Sequence, residues 1–118
     1  MSHKTSFIKS LSDALRGIRV LIAAEPHARF HVSVAIVVCI AGCIFHITSI
    51  EWMLIAFAIA LVIVAEAFNT AIEHLSDVVQ PERDERIRTI KDIAAGAVLM
   101  CTLAAITIGL LVFIPYIF

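Results

Sequence analysis

Residues 30–50 read FHVSVAIVVCIAGCIFHITSI, 21 positions without Asp, Glu, Lys or Arg, in which His31, Ser33, His46, Thr48 and Ser49 are the polar side chains. At 1.5 Å per residue a helix of that length covers roughly 31 Å, the hydrocarbon thickness of a bilayer. It is read as a membrane span. Past Glu51 the pattern repeats: residues 52–72, WMLIAFAIALVIVAEAFNTAI, carry one formal charge, Glu66, and open on Trp52, where an interfacial aromatic belongs. Residues 93–118 hold no ionisable side chain except Cys101 and Tyr116, and Pro115 with Tyr116 suits the far interface. Three spans are expected.

Upstream, residues 5–24 alternate differently. Phe7, Ile8, Leu11, Leu15, Ile18 and Ile22 recur at helical spacing, with Lys9, Ser12, Asp13, Arg16 and Arg19 between them. This predicts an amphipathic helix lying on the membrane surface. Charges run through it and no small-residue cleavage pattern follows, so it is not read as a secretory signal. Pro26 fits the first turn of the next helix and places Glu25 at that helix's N-terminus. The expected fold is a single all-α membrane domain over 1–118, with a surface helix and three transmembrane helices.

Composition agrees: 61% of the 118 residues are hydrophobic, 16% are charged, and the mean hydropathy is +1.00. A net charge of -1 without a basic tract gives nucleic acid no electrostatic footprint. All nine Lys and Arg fall before the first span (Lys4, Lys9, Arg16, Arg19, Arg29) or between the second and third (Arg83, Arg86, Arg88, Lys91). The positive-inside tendency puts that side, with the N-terminus, in the cytoplasm and the C-terminus outside. Cys39, Cys43 and Cys101 sit in apolar helix and are read as small packing residues.

Chemistry must come from polar residues the membrane tolerates. Glu66, Asn69, Glu73 and Asp77 are spaced three, four and four, along one face of the second span and its continuation. Glu66 lies fourteen residues past Trp52, about 21 Å of rise, hence in the cytoplasmic third of the core, with Glu73 about 10 Å further on. An intramembrane carboxylate calls for a use or a partner; the competing reading is a neutral Glu66 beside an Asn69 that joins two helices. Topology brings Glu25, Glu73, Asp77, Lys91 and Asp92 to one level. Such oxygen ligands suit Mg²⁺ bound together with phosphates, whereas Glu82, Asp84, Glu85, Arg86 and Arg88 read as a solvated fringe. His27 and His31, four apart, are a possible metal pair or two polar residues at the headgroup level. Ala94, Ala95, Gly96 and Ala97 offer a packing surface, and so small a protomer points to a homo-oligomer that completes the site.

The run Glu66-Ala-Phe-Asn69-Thr-Ala-Ile-Glu73, with Asp77 after it and then Lys91-Asp92-Ile-Ala-Ala-Gly-Ala-Val-Leu, resembles the signature of the small bacterial integral-membrane diacylglycerol kinase family. The resemblance takes in the Phe7-Ile-Lys-Ser-Leu block, Gly17 and the Glu25-x-x-x-Arg29-x-His31 run. His31 and Ala95-Gly96 make the chain look closer to the undecaprenol kinase branch. The resemblance implies a homotrimer of three-span protomers in the bacterial inner membrane, with composite sites that phosphorylate a lipid alcohol with MgATP on the cytoplasmic face. Undecaprenol is the expected acceptor, and diacylglycerol the alternative. It makes Glu66 the general base, gives Glu25 and Glu73 to the nucleotide's metal, and places Asp13, Glu25, Glu73, Asp77, Glu82, Arg83, Asp84, Lys91 and Asp92 around ATP. Lys9, Arg29, Glu66, Asn69 and Ala95 fall to the lipid, although Lys9 and Asp13 depart from the residues many relatives carry there.

No G-x-x-x-x-G-K-[ST] or G-x-G-x-x-G occurs, since Gly17, Gly42, Gly96 and Gly109 are scattered, so ATP would be held without a glycine-rich loop. A proton- or ion-coupled transporter using Glu66 and Asn69 is the more distant reading. It predicts helices broken near midplane and often an internal repeat. Pro26, Pro81 and Pro115 all lie at segment ends and no repeat is visible.

Overall fold

The computed structural model describes residues 3–118 as four helices: α1 (His3–Ala24), α2 (Pro26–Phe45), α3 (Ser49–Val79) and α4 (Glu85–Ile117). The last three are long and apolar enough to cross a membrane. Lys4, counted among the basic residues above, lies outside the residues whose side chains are described. α3 is the central element and packs against both α2 and α4, most extensively against α4. The protomer is a slab of 51 × 45 × 20 Å, so most apolar side chains of α2 and α4 face outward.

The helix expected over 5–24 forms as α1, with Phe7, Ile8, Leu11, Leu15 and Ile18 exposed along it and Leu21, near its end, buried. The break after Ala24 is built as the sequence suggests. Glu25 is extended, its carboxylate accepts from the His27 N–H at 3.4 Å, and Pro26 begins α2. Arg29 reaches back, its Nη1 donating to the carbonyls of Ile22 (3.0 Å) and Ala23 (2.9 Å). It thereby satisfies carbonyls that the end of α1 leaves without intrahelical donors.

The helix ends differ from the apolar stretches, because capping rather than hydropathy sets them. α2 stops at Phe45, not Ile50: His46 turns left-handed (φ 54°) and its N–H returns to the Gly42 carbonyl. Thr48 then opens α3 with a reciprocal cap, its N–H donating to Glu51 Oε1 at 2.9 Å while its Oγ1 accepts from the Glu51 N–H at 3.2 Å. α3 continues past Ile72 to Val79, and α4 begins at Glu85, well before Ile93. At 31 and 33 residues, about 46 and 50 Å, both outrun a ~30 Å hydrocarbon layer, and their extensions carry Glu73, Asp77, Lys91 and Asp92. Pro115 does not end α4, which runs through it to Ile117. No helix is broken in its middle.

The packed core sits at the α2–α3 turn. Buried Ile47, Ile55 and Val112 are surrounded by Val38, Phe45, Trp52, Ile59, Ile108 and Phe113. The Phe45 ring lies 6.1 Å from Phe113 and 6.0 Å from Tyr116, whose hydroxyl donates a short hydrogen bond to Glu51 Oε1. Trp52, expected at the interface, rests its indole on α2 at buried Gly42, where a Cβ would stand 2.6 Å from Cη2 and 2.8 Å from Cζ2. A side chain at 42 must displace that ring. Gly42→Val is expected to cost about 1–3 kcal/mol through overpacking, read as a lower Tm in detergent and a shifted emission of Trp52, the chain's one tryptophan. Unchanged Tm and emission would mean that the indole is not held against α2.

Candidate active site

The end of the bundle opposite this core is polar. Glu66, 5% exposed, sits on α3 facing α2, and His31 Nε2 approaches its Oε1 to 3.3 Å. An intramembrane carboxylate is costly unless satisfied, and the imidazole is its recorded side-chain partner among the described residues. One turn on, Asn69 Oδ1 and Thr70 Oγ1 are shielded from solvent with no hydrogen-bond partner among the described residues. Thr70 lines a groove of about 510 Å³ between α1 and α3, where α1 contributes Asp13, Arg16 and Gly17 and α3 adds His74.

A second layer stands further along α3. Lys91 Nζ on α4 donates to Asp77 Oδ1 at 2.7 Å, tying the extensions of the two helices together, and Glu73 lies within electrostatic reach of the same ammonium. Glu73 is half-buried and takes part in none of the ion pairs found among the described residues. The α3–α4 connection is ordered by Asp84, which accepts from the Arg86 N–H at 2.8 Å and pairs with its guanidinium at 2.8 Å. That guanidinium holds the Asp84 carboxyl down at about 2. The cap therefore stays ionised from neutral pH down into strong acid, and is lost only as pH falls through that value.

The stripe expected on α3 thus forms two chemical levels, a buried carboxylate with an imidazole and an exposed carboxylate–ammonium group. Other expected positions are engaged elsewhere or exposed. Glu25 caps α2, Arg29 caps α1, and Asp13 lines the α1 groove. Lys9, Glu82, Arg83, Asp92 and Ala95 are exposed, whereas the neighbouring Ala94 is buried. Of the two histidines, His31 turns to Glu66, and no group of three His, Cys, Asp or Glu side chains converges among the described residues. Asp84 with Arg86 is a helix cap and not a loose fringe.

Sequence reading missed the contact of His31 with Glu66. A signal existed in the hairpin's symmetry: His31 lies fourteen residues before Phe45 and Glu66 seventeen after Ser49, so an antiparallel pair sets them at comparable height.

Comparison with known proteins bears on this arrangement. Residues 12–113 match the family described as prokaryotic diacylglycerol kinase. The chain is 38% identical over 109 residues to the undecaprenol kinase of Bacillus subtilis, covering 92% of this chain and 89% of that protein. It is 30% identical over 111 residues to a diacylglycerol kinase of Synechocystis, covering 93% of this chain and 63% of that longer protein. A match that takes in both levels of the polar end, on three helices fit to span a membrane, leaves one conclusion: the chain belongs to the prokaryotic diacylglycerol kinase family and is a lipid kinase.

Proposed function

We propose that the protein transfers the γ-phosphoryl group of MgATP to the hydroxyl of a membrane lipid alcohol at the cytoplasmic face of the bacterial inner membrane, with undecaprenol as acceptor. The observation that carries this reading is the placement of buried Glu66 two turns below the Glu73–Asp77–Lys91 level, about 10 Å by helical rise. A lipid hydroxyl sits at the headgroup boundary while nucleotide phosphates stay in water, so direct transfer needs a base at one depth and charge-stabilising groups at the next. Kinase family membership implies ATP as donor. The relative named undecaprenol kinase, matched over nearly its whole length, favours the polyprenol acceptor.

Glu66 accepts the proton of the acceptor hydroxyl as its oxygen attacks the γ-phosphorus, the bond to the ADP oxygen breaks, and the lipid phosphate and ADP leave. Lys91 offsets charge developing on the transferring group, Asp77 holds Lys91 in place, and Asn69 supports the Glu66 carboxylate or the metal's surroundings. Phosphate-bound Mg²⁺ asks one or two carboxylates of the protein. Glu73, in no ion pair among the described residues, and Glu25, which uses one oxygen as a cap, would hold it. When bound, Mg²⁺ neutralises phosphate charge. Asp13, Glu82, Arg83, Asp84 and Asp92 belong to the nucleotide side, and Lys9, Arg29 and Ala95 to the lipid side.

A homotrimer with composite sites completes the reading. A slab 20 Å thick encloses little, and partnerless Asn69 and Thr70 atoms are groups a neighbouring subunit or ligand would satisfy. The excess of Lys and Arg on one side supports a cytoplasmic N-terminus and an outward C-terminus. The test is transfer of labelled γ-phosphate from MgATP to undecaprenol and to diacylglycerol, presented in parallel in mixed micelles. Preferential labelling of undecaprenol is expected. Preference for diacylglycerol would reassign the protein to glycerolipid phosphorylation, and labelling of neither would overturn the reading.

A further inference from the structure

We infer that His31 is the positioning residue for the Glu66 carboxylate: its Nε2–H holds Oε1 so that the other carboxylate oxygen is presented to the acceptor hydroxyl. This rests on the reading of Glu66 as the base. The two groups come from different helices and meet at 3.3 Å, with side-chain exposures of 17% for His31 and 6% for Glu66, so water does not compete freely for the contact. A donating role places the proton on Nε2, the nitrogen that faces Oε1 at 3.3 Å.

The imidazole is itself braced. Its ring stands edge-on to Phe30, with centroids 5.7 Å apart. It also lines one end of an apolar groove of about 500 Å³ between α2, α3 and α4, whose walls include Val34, Val38, Ala58 and Ile106. A histidine that merely reached for the headgroups would turn from this groove toward water; His31 is turned inward to α3. Without a donor, a carboxylate rotates about its terminal bond and offers either oxygen in a range of directions. Misplacement of a reacting group by about 1 Å can cost on the order of 10²-fold in rate.

The other charged groups near the pair are committed elsewhere or more distant. On α2, Arg29 is bound to the end of α1, and on α4 Lys91 is bound to Asp77. On α3 the next carboxylate is Glu73, about 10 Å away by helical rise. On α1, Asp13 and Arg16 line the groove that reaches Thr70 and His74.

The experiment compares His31→Leu and His31→Gln, each in the native chain and in a Glu66→Gln background, by initial rates of phosphoryl transfer from MgATP to undecaprenol in mixed micelles. In the native background His31→Leu is expected to lower kcat about 10- to 100-fold with the KM for MgATP unchanged. His31→Gln, whose amide nitrogen reaches nearly the place of Nε2, should recover most of that loss. In the Glu66→Gln background His31→Leu should cost nothing further, because the group it positions is already gone. Native kcat in His31→Leu, or equal losses in both backgrounds without rescue by Gln, would overturn the inference and leave Glu66 standing. Full activity of Glu66→Gln alone would instead remove the reading on which it rests. Should His31→Leu fail to fold, His31→Gln decides: near-native kcat supports the donor role, and a 10-fold or greater loss in well-folded protein sinks it.

Discussion

Glu66→Gln is expected to lower kcat for lipid phosphorylation at least ~10²-fold while the KM for MgATP stays within about twofold of native. The substitution keeps the volume and hydrogen-bonding capacity of a side chain that is 5% exposed, so the α2–α3 contact with His31 survives in altered form. What disappears is the ability to take a proton from the acceptor. Glu73, proposed to serve the nucleotide, lies two turns further along α3, which is why affinity for MgATP should barely move. Steady-state kinetics varying each substrate in turn separates the two constants. A glutamine variant that turned over at the native rate would show that the hydroxyl loses its proton elsewhere.

Glu73→Gln should give the opposite signature, a rise of about 10-fold or more in the KM for MgATP with a smaller change in kcat. The magnitude follows the loss in metal affinity when a supporting carboxylate group is disabled, about 10- to 100-fold. Glu73 takes part in no ion pair among the described residues, and the Lys91–Asp77 bond at 2.7 Å does not depend on it. The variant therefore removes the carboxylate proposed to hold the metal without dismantling the clamp between α3 and α4. Raising Mg²⁺ at fixed ATP should recover part of the rate. An unchanged KM, or no response to Mg²⁺, would remove Glu73 from the metal.

The number and order of helices were legible because runs of residues without charge leave the chain few alternatives in a bilayer. So was the α3 stripe, since spacings of three and four need only helical geometry to align Glu66, Asn69, Glu73 and Asp77. Glu25 and Pro26 were legible as a helix start for the same local reason. Helix ends were not, because hydropathy reports what lipid accepts, whereas the reciprocal bonds of Thr48 and Glu51 and the left-handed turn at His46 decide where a helix stops. The contacts least visible join distant positions: His31 to Glu66, Tyr116 to Glu51, and Trp52 over Gly42. A carboxylate in an apolar run announces that it needs a partner without saying which one. Arg29 illustrates the converse, since the family resemblance gives it to the lipid, whereas within the protomer its guanidinium sits on the carbonyls of Ile22 and Ala23.

The core around Ile47, Ile55 and Val112 lies at one end of the helices and the Lys91–Asp77 bond near the other, which gives the protomer the mechanics of a pair of tongs. The pivot is the aromatic-packed turn; the jaws are the charged extensions of α3 and α4. Between Val112 and Lys91 the arm is about 31 Å long, so a tilt of about 5° at the pivot moves the ammonium by about 3 Å. That displacement is the whole length of the ion pair closing the jaws. The spacing of Lys91 and Asp77 is thus gauged from the opposite end of the helices, by rings and a glycine about 31 Å away.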